Sequence, residues 1–190
     1  MNRRQLIKLA ACGSAVLWAN LIIGNSRASA EKIRLLVPDA NGVRLPAGYR
    51  SRIVAESSVS PLGGCDYVWH AAPDGGACFS GTDGGWIYVS NSELDDHEGG
   101  VGALRFDAAG KLIDAYSILH GTSRNCSGGA TPWGSWLSCE EIERGRVWEC
   151  DPQGVETAVV RPALGVFMHE AVAVDSLNRK LYLTEDQPDG

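Results

Sequence analysis

Three stretches of the chain carry the same sequence of apolar and polar positions. They are Ile87-Tyr88-Val89-Ser90-Asn91-Ser92-Glu93, Ser135-Trp136-Leu137-Ser138-Cys139-Glu140-Glu141 and Leu181-Tyr182-Leu183-Thr184-Glu185-Asp186. Each reads as an apolar strand closed by a hydroxyl residue and then by polar or acidic side chains. Ser90 to Ser138 is 48 positions, and Ser138 to Thr184 is 46. A second phrase keeps step: Phe106-Asp107 with Gly110 returns 44 positions later as Cys150-Asp151 with Gly154. Short strands repeating with a period in the mid-forties are the mark of β-propeller blades. Equivalent strands in such a fold bring their ends around one axis, so a chain with no local metal motif can still assemble a metal site from its acidic strand ends.

The same pattern predicts the elements. A first blade begins near residue 66, with strands at 77–79, 86–90, 102–106 and 112–118 and Gly/Asp turns at 81–85 and 107–110. A second covers about 129–164, with its third strand at 146–150 and a turn at 151–154. A third opens with strands at 170–175 and 180–184. Residues 31–65 form an irregular lead-in with Pro38, Pro46 and Pro61 and one strand at 33–37. No helical pattern follows residue 30. The expected class is all-β, an incomplete propeller over 66–190; a compact β-sandwich of the same strands is the alternative. Propellers typically close with 4–8 blades, and this chain stops inside its third. It is therefore expected to be the N-terminal part of a longer protein or a prematurely ended product, with an open strand edge that invites aggregation.

Residues 1–30 stand apart. Asn2-Arg3-Arg4-Gln5-Leu6-Ile7-Lys8 has the arginine pair of a twin-arginine signal, an apolar run follows over 9–23, and Ala28-Ser29-Ala30 satisfies the small-x-small cleavage rule. The mature chain is expected to begin at Glu31, exported to the periplasm or beyond by the twin-arginine machinery. A retained membrane anchor is the alternative, but the apolar run falls short of the roughly 20 residues a span needs, so no stable span is expected in the mature chain. Removing four basic residues leaves 13 − 23 = −10 in place of −6. That balance argues against nucleic acid and anionic membranes as partners and suits hard cations. Five cysteines remain in the mature chain, Cys65, Cys78, Cys126, Cys139 and Cys150. The odd number leaves at least one thiol or ligand, and Cys65 and Cys78 are close enough in sequence to be bridged.

Candidate chemistry lies in three blocks. Residues 125–141 join Asn125-Cys126-Ser127-Gly128-Gly129 to Thr131-Pro132-Trp133-Gly134 and end in Glu140-Glu141. The glycines allow an unusual loop, the tryptophans suit packing between blades, and two adjacent carboxylates repel unless a cation offsets the cost. His169-Glu170 precedes the opening strand of the third blade as 125–129 precedes that of the second. Glu185-Asp186 closes a strand equivalent to the one closed by Glu140-Glu141, with Asn91 and Glu93 in the corresponding places of the first blade. His70, His97 and His120 read as surface or loop residues.

Together these blocks resemble the PhoX-type alkaline phosphatases, secreted bacterial propeller enzymes. The resemblance rests on T-P-W-G-x-W-L-x-C-E-E at 131–141, N-C-x-G-G at 125–129, H-E-A at 169–171 and Y-L-T-E-D at 182–186. It implies a six-bladed ring, of which this chain holds about three blades, with Ca and Fe on the axis and metal-assisted hydrolysis of phosphate monoesters. By resemblance, Cys126 is an iron-ligating thiolate and Glu141, Glu170 and Glu185 hold metal. Glu93, Asn125, Glu140, His169 and Asp186 are further metal-site or supporting residues. The substrate implied is a phosphorylated small molecule, and a part of such a ring can be inactive by itself. Two readings compete: a non-catalytic Ca-binding propeller scaffold, and a Ca-dependent lactonase-type propeller hydrolase.

Overall fold

A computed structural model describes residues 35–188; the export signal read at 1–30, with Arg3, Arg4, Ala28 and Ala30, lies outside them. The chain divides into two compact units between Ile53 and Val54. In the first, Leu36 N–H donates to the Leu45 carbonyl and Asp39 N–H to the Val43 carbonyl. The Asp39 carboxylate caps that turn by accepting from the N–H groups of Asn41 and Val43. Residues 35–37 are not in a strand, contrary to the strand expected at 33–37; residues 33 and 34 are not among those described. A side-chain-capped turn satisfies the backbone here instead of a ladder.

The second unit is all-β. Strands β1 (Pro73–Ser80), β2 (Trp86–Ser92), β3 (Gly99–Phe106) and β4 (Leu112–Thr122) form one antiparallel sheet in chain order. Strands β5 (Asn125–Ala130), β6 (Trp136–Glu140), β7 (Val147–Cys150) and β8 (Val159–Val160) form a second, and β9 (His169–Asp175) pairs with β10 (Lys180–Glu185) in a third. Ser90, Ser138 and Thr184 all fall on the second strand of their sheet, and Phe106 and Cys150 end the third strands of the first two. The described residues form no closed ring, and among them no helix is long and apolar enough to cross a membrane.

Strand alternation sorts the core into layers. Ile87 and Val89 of β2 point one way, into a layer with Val101, Ile118 and Trp136 that joins the first sheet to the second. Trp86 and Tyr88 point the other way, against Leu104, Phe106 and Trp69. On β6, Leu137 and Cys139 face a third layer with Val147, Val172 and Leu183, which joins the second sheet to the third. The first strands meet most closely. A Cβ on Gly75 of β1 would lie 2.7 Å from Ser127 Cα of β5, and one on Gly129 of β5 would lie 2.0 Å from the Val172 carbonyl of β9. Only glycine lets these backbones approach so nearly. Trp136 packs between sheets as expected; Trp133 is exposed and donates from Nε1 to the Glu149 carboxylate at 2.6 Å.

Cys65, Cys78, Cys126, Cys139 and Cys150 are all free, so Cys65 and Cys78 are not bridged; Cys65 instead donates to the Ala115 carbonyl at 3.1 Å. Burial pushes the Cys139 and Cys150 thiols up to about 12, which makes them packing groups. His97 and His120 are exposed; His70 lies outside the strands, in the segment before β1, and is half-buried. Its ring stacks on Trp69 at 4.2 Å, with Nδ1 3.1 Å from Tyr67 Oη and Nε2 3.3 Å from Ser90 Oγ. These contacts hold the segment before β1 onto β2. Burial lowers the His70 pKa to about 4, below the value near 6.5 of an unfolded chain. The unfolded state thus binds the extra proton more readily. The stability His70 contributes is complete above pH 6.5 and is lost as pH falls toward 4. Thermal melts from pH 7 to 4 should show a falling midpoint that is flatter in His70→Asn; parallel curves for the two proteins would refute this.

Candidate metal centre

The first strands of the three sheets each bring one candidate ligand to the same place: Asp74 from β1, Cys126 from β5 and Glu170 from β9. The Cys126 thiol lies 3.4 and 3.5 Å from the two Glu170 carboxylate oxygens and 3.7 Å from Asp74 Oδ2. Just past the second strands, Glu93 and Glu141 complete two triads, Asp74–Glu93–Cys126 and Cys126–Glu141–Glu170, whose ligand atoms lie within 4.8 Å of one another. Cys126 belongs to both. Burial, then the neighbouring Glu170, pushes its thiol pKa far up. Burial also raises Glu141; Arg124 opposes that rise, and Glu93, Asp186 and Glu170 add to it. Crowding of this kind disfavours the charged forms of the thiol and of Glu141, and a bound cation would offset that cost.

Residues 125–129, read as a loop from sequence, belong to β5. The ladder to β6 pairs Asn125 with Glu140 and Gly128 with Ser138, and its register shifts between Asn125 and Gly128. Cys126 and Ser127 therefore sit in a bulge, a common device for re-aiming a side chain. Asn91, fully buried on β2, captures the bulge: its Nδ2 donates to the Cys126 carbonyl at 3.0 Å and the Ser127 carbonyl at 2.8 Å. Its Oδ1 accepts from Trp136 Nε1 and Ser138 Oγ, each at 2.9 Å.

The remaining sequence candidates take different places. Asn125 is a buried member of the same frame, accepting from Thr122 Oγ1 at 2.6 Å and donating to Ser138 Oγ at 2.9 Å. Glu140 and Glu141 part company because successive strand residues face opposite sides. Glu141 joins the cluster. Glu140 accepts from the N–H groups of Ser123 and Arg146 and from Trp148 Nε1, which ties β6 to the segment before β5 and to β7. His169 is buried against Phe167, and its Nδ1 has no hydrogen-bond partner among the described residues. Burial lowers its pKa. Glu185 is exposed, pairs in register with His169 and belongs to neither triad; Asp186 reaches the Glu141 carboxyl.

Two cluster residues escaped the sequence reading. Asp74 had a signal, since Asp74-Gly75-Gly76-Ala77 echoes Ser127-Gly128-Gly129-Ala130 at the matching strand. Arg124 stands directly before the Asn125 block. Its Nη2 lies 3.5 Å from Glu93 and 3.3 Å from Glu141, and its Nε lies 4.0 Å from Asp95. Glu141 first, and Glu93 after it, raise its pKa.

The donor set suits cations. Carboxylate oxygens from four residues match a hard ion such as calcium, and a thiol among them adds the soft ligand that iron accepts. A family model described as alkaline phosphatase PhoX matches residues 82–190, which include Glu93, Cys126, Glu141 and Glu170. No curated protein and no solved structure matches the chain.

Proposed function

The chain belongs to the PhoX alkaline phosphatase family, and on that footing we propose that it is an exported, metal-dependent hydrolase of phosphate monoesters. Its three sheets are consecutive blades of a propeller, with the inner strands β1, β5 and β9 around the axis. The observation that carries this reading is the meeting of Asp74, Cys126 and Glu170 from those three strands, with the thiol 3.4 to 3.7 Å from the carboxylates. Residues 1–30 carry it to the twin-arginine machinery and so to the periplasm or beyond.

Cys126, Glu141 and Glu170, with Asp74 and Glu93, hold Ca and Fe, and Glu185 and Asp186 extend the acidic rim. Cations held there would supply Lewis acidity, offsetting charge on phosphoryl oxygens and lowering the pKa of water so that hydroxide is available as the nucleophile. The chain's own groups prepare the place. Glu170 accepts the Cys126 thiol hydrogen, and so stands where that proton must leave for the sulfur to become a ligand. Asn91 fixes the two peptide planes that flank Ser127, the first of which directly follows Cys126, and so holds the bulge that carries its side chain. His169, the neighbour of Glu170 on β9, packs its ring against Phe167. The ligand used is a phosphorylated small molecule, and the net negative charge disfavours nucleic acid.

Hydrolysis of p-nitrophenyl phosphate by the metal-loaded chain, lost on chelation and restored by calcium with iron, is the expected result. Full activity after exhaustive chelation would sink the reading. Restoration by calcium alone would favour a calcium-only hydrolase.

A further inference from the structure

We propose that Arg124 is the side chain that anchors the phosphoryl group in this site. The inference rests on the phosphomonoesterase reading and goes beyond it by naming a substrate contact. Among the described residues, Arg124 is the basic side chain that ion-pairs with the candidate ligands. Its Nη2 spans the two triads, 3.5 Å from Glu93 of one and 3.3 Å from Glu141 of the other. Both contacts use the same terminal nitrogen. Nε makes only the long 4.0 Å approach to Asp95, and Nη1 has no bond among the described residues. The side chain is 36% exposed. The guanidinium thus has one terminal nitrogen on the carboxylates and the other without a hydrogen bond among the described residues, on a side chain that solvent reaches.

The backbone holds the arginine in this position. Arg124 has φ +47°, a left-handed conformation that non-glycine residues adopt rarely and at some cost. Its N–H donates to the Leu94 carbonyl at 2.7 Å, and its carbonyl accepts from Glu141 N–H at 2.9 Å. It therefore joins the loop after β2 to the residue after β6, which fixes the Cα of Arg124 beside Glu141. A phosphate monoester dianion entering an acidic site needs donors that cannot lose their charge. Guanidinium presents planar, paired N–H groups matched to phosphate oxygens. A carboxylate released to a cation frees Nη2 as well, and both terminal nitrogens then face the ligand.

The test compares wild type with Arg124→Lys and Arg124→Asn in the metal-loaded full chain; Asn tolerates the left-handed backbone, so a folding failure is avoided. Three quantities are read: bound metal, inorganic phosphate affinity by calorimetry, and KM and kcat for p-nitrophenyl phosphate. Loss of a charge-assisted contact is expected to weaken phosphate binding and raise KM about tenfold or more in Arg124→Asn, with metal content unchanged and Lys recovering part of the loss. Unchanged phosphate affinity and KM would overturn the proposal. So would metal content falling in step with activity, since Arg124 would then act only on the carboxylates. Wild type that binds phosphate but does not turn over ester would defeat the hydrolase reading and leave the anchoring role standing on calorimetry; wild type that binds no phosphate would defeat both.

Discussion

Asn91→Ala should destabilise the chain by about 3 kcal/mol or more, because buried polar groups left without partners cost about 1–3 kcal/mol each. The asparagine is fully buried and makes four hydrogen bonds. Its removal strands the Cys126 and Ser127 carbonyls, which the bulge keeps out of the β5–β6 ladder. It also strands Trp136 Nε1 and leaves the Ser138 hydroxyl without its acceptor. Both donors lie at the layer joining the first and second sheets, where Trp136 packs with Ile87 and Val89. Asn91→Asp keeps the shape but turns a carboxylate toward two carbonyls, and is expected to be at least as damaging. Denaturant midpoints with an unchanged slope measure the effect. Loss of about 0.5 kcal/mol or less in both variants would show that the network does not hold the bulge.

Much of the fold was legible because it depends on local pattern. Alternation placed Ile87 and Val89 on one face, and the repeat placed Ser90, Ser138 and Thr184 on equivalent strands. The turns after β3 and β7 were legible for a chemical reason. Asp107 caps one by accepting from Ala109 and Lys111 N–H, and Asp151 caps the other by accepting from Gln153 and Val155 N–H. Gly110 and Gly154 follow at φ +78° and +71°, where glycine fits best.

The rest depended on distant partners. A strand written Asn-Cys-Ser-Gly-Gly-Ala has no hydrophobic period, and its glycines, which read as loop, serve the close approach of β1, β5 and β9. Glu140 and Glu141 look alike in sequence, yet one meets backbone N–H groups and the other meets Arg124 and the acidic cluster. The half-burial of His70 could be recognised only once Trp69 and Ser90 were known to flank it. Asp74 lay in a stretch whose likeness to 127–130 is short, and its role follows only from its distance to Cys126.

Glu170→Ala and Cys126→Ser should part the two metals. Glu170 supplies both oxygens nearest the thiol and belongs to the triad with Glu141. Its loss should remove most bound metal and lower hydrolysis by more than about a hundredfold, since residues that only support metal ligands already cost 10–100-fold. Serine keeps the size of Cys126 but replaces the soft sulfur with a hard oxygen, so iron should fall while calcium stays. Element analysis of the loaded, gel-filtered wild type and these two variants tests the central claim most directly. The account predicts calcium and iron in the wild type, little of either in Glu170→Ala, and calcium without iron in Cys126→Ser. Wild type that takes up neither metal, or variants that match it in both, would contradict the account.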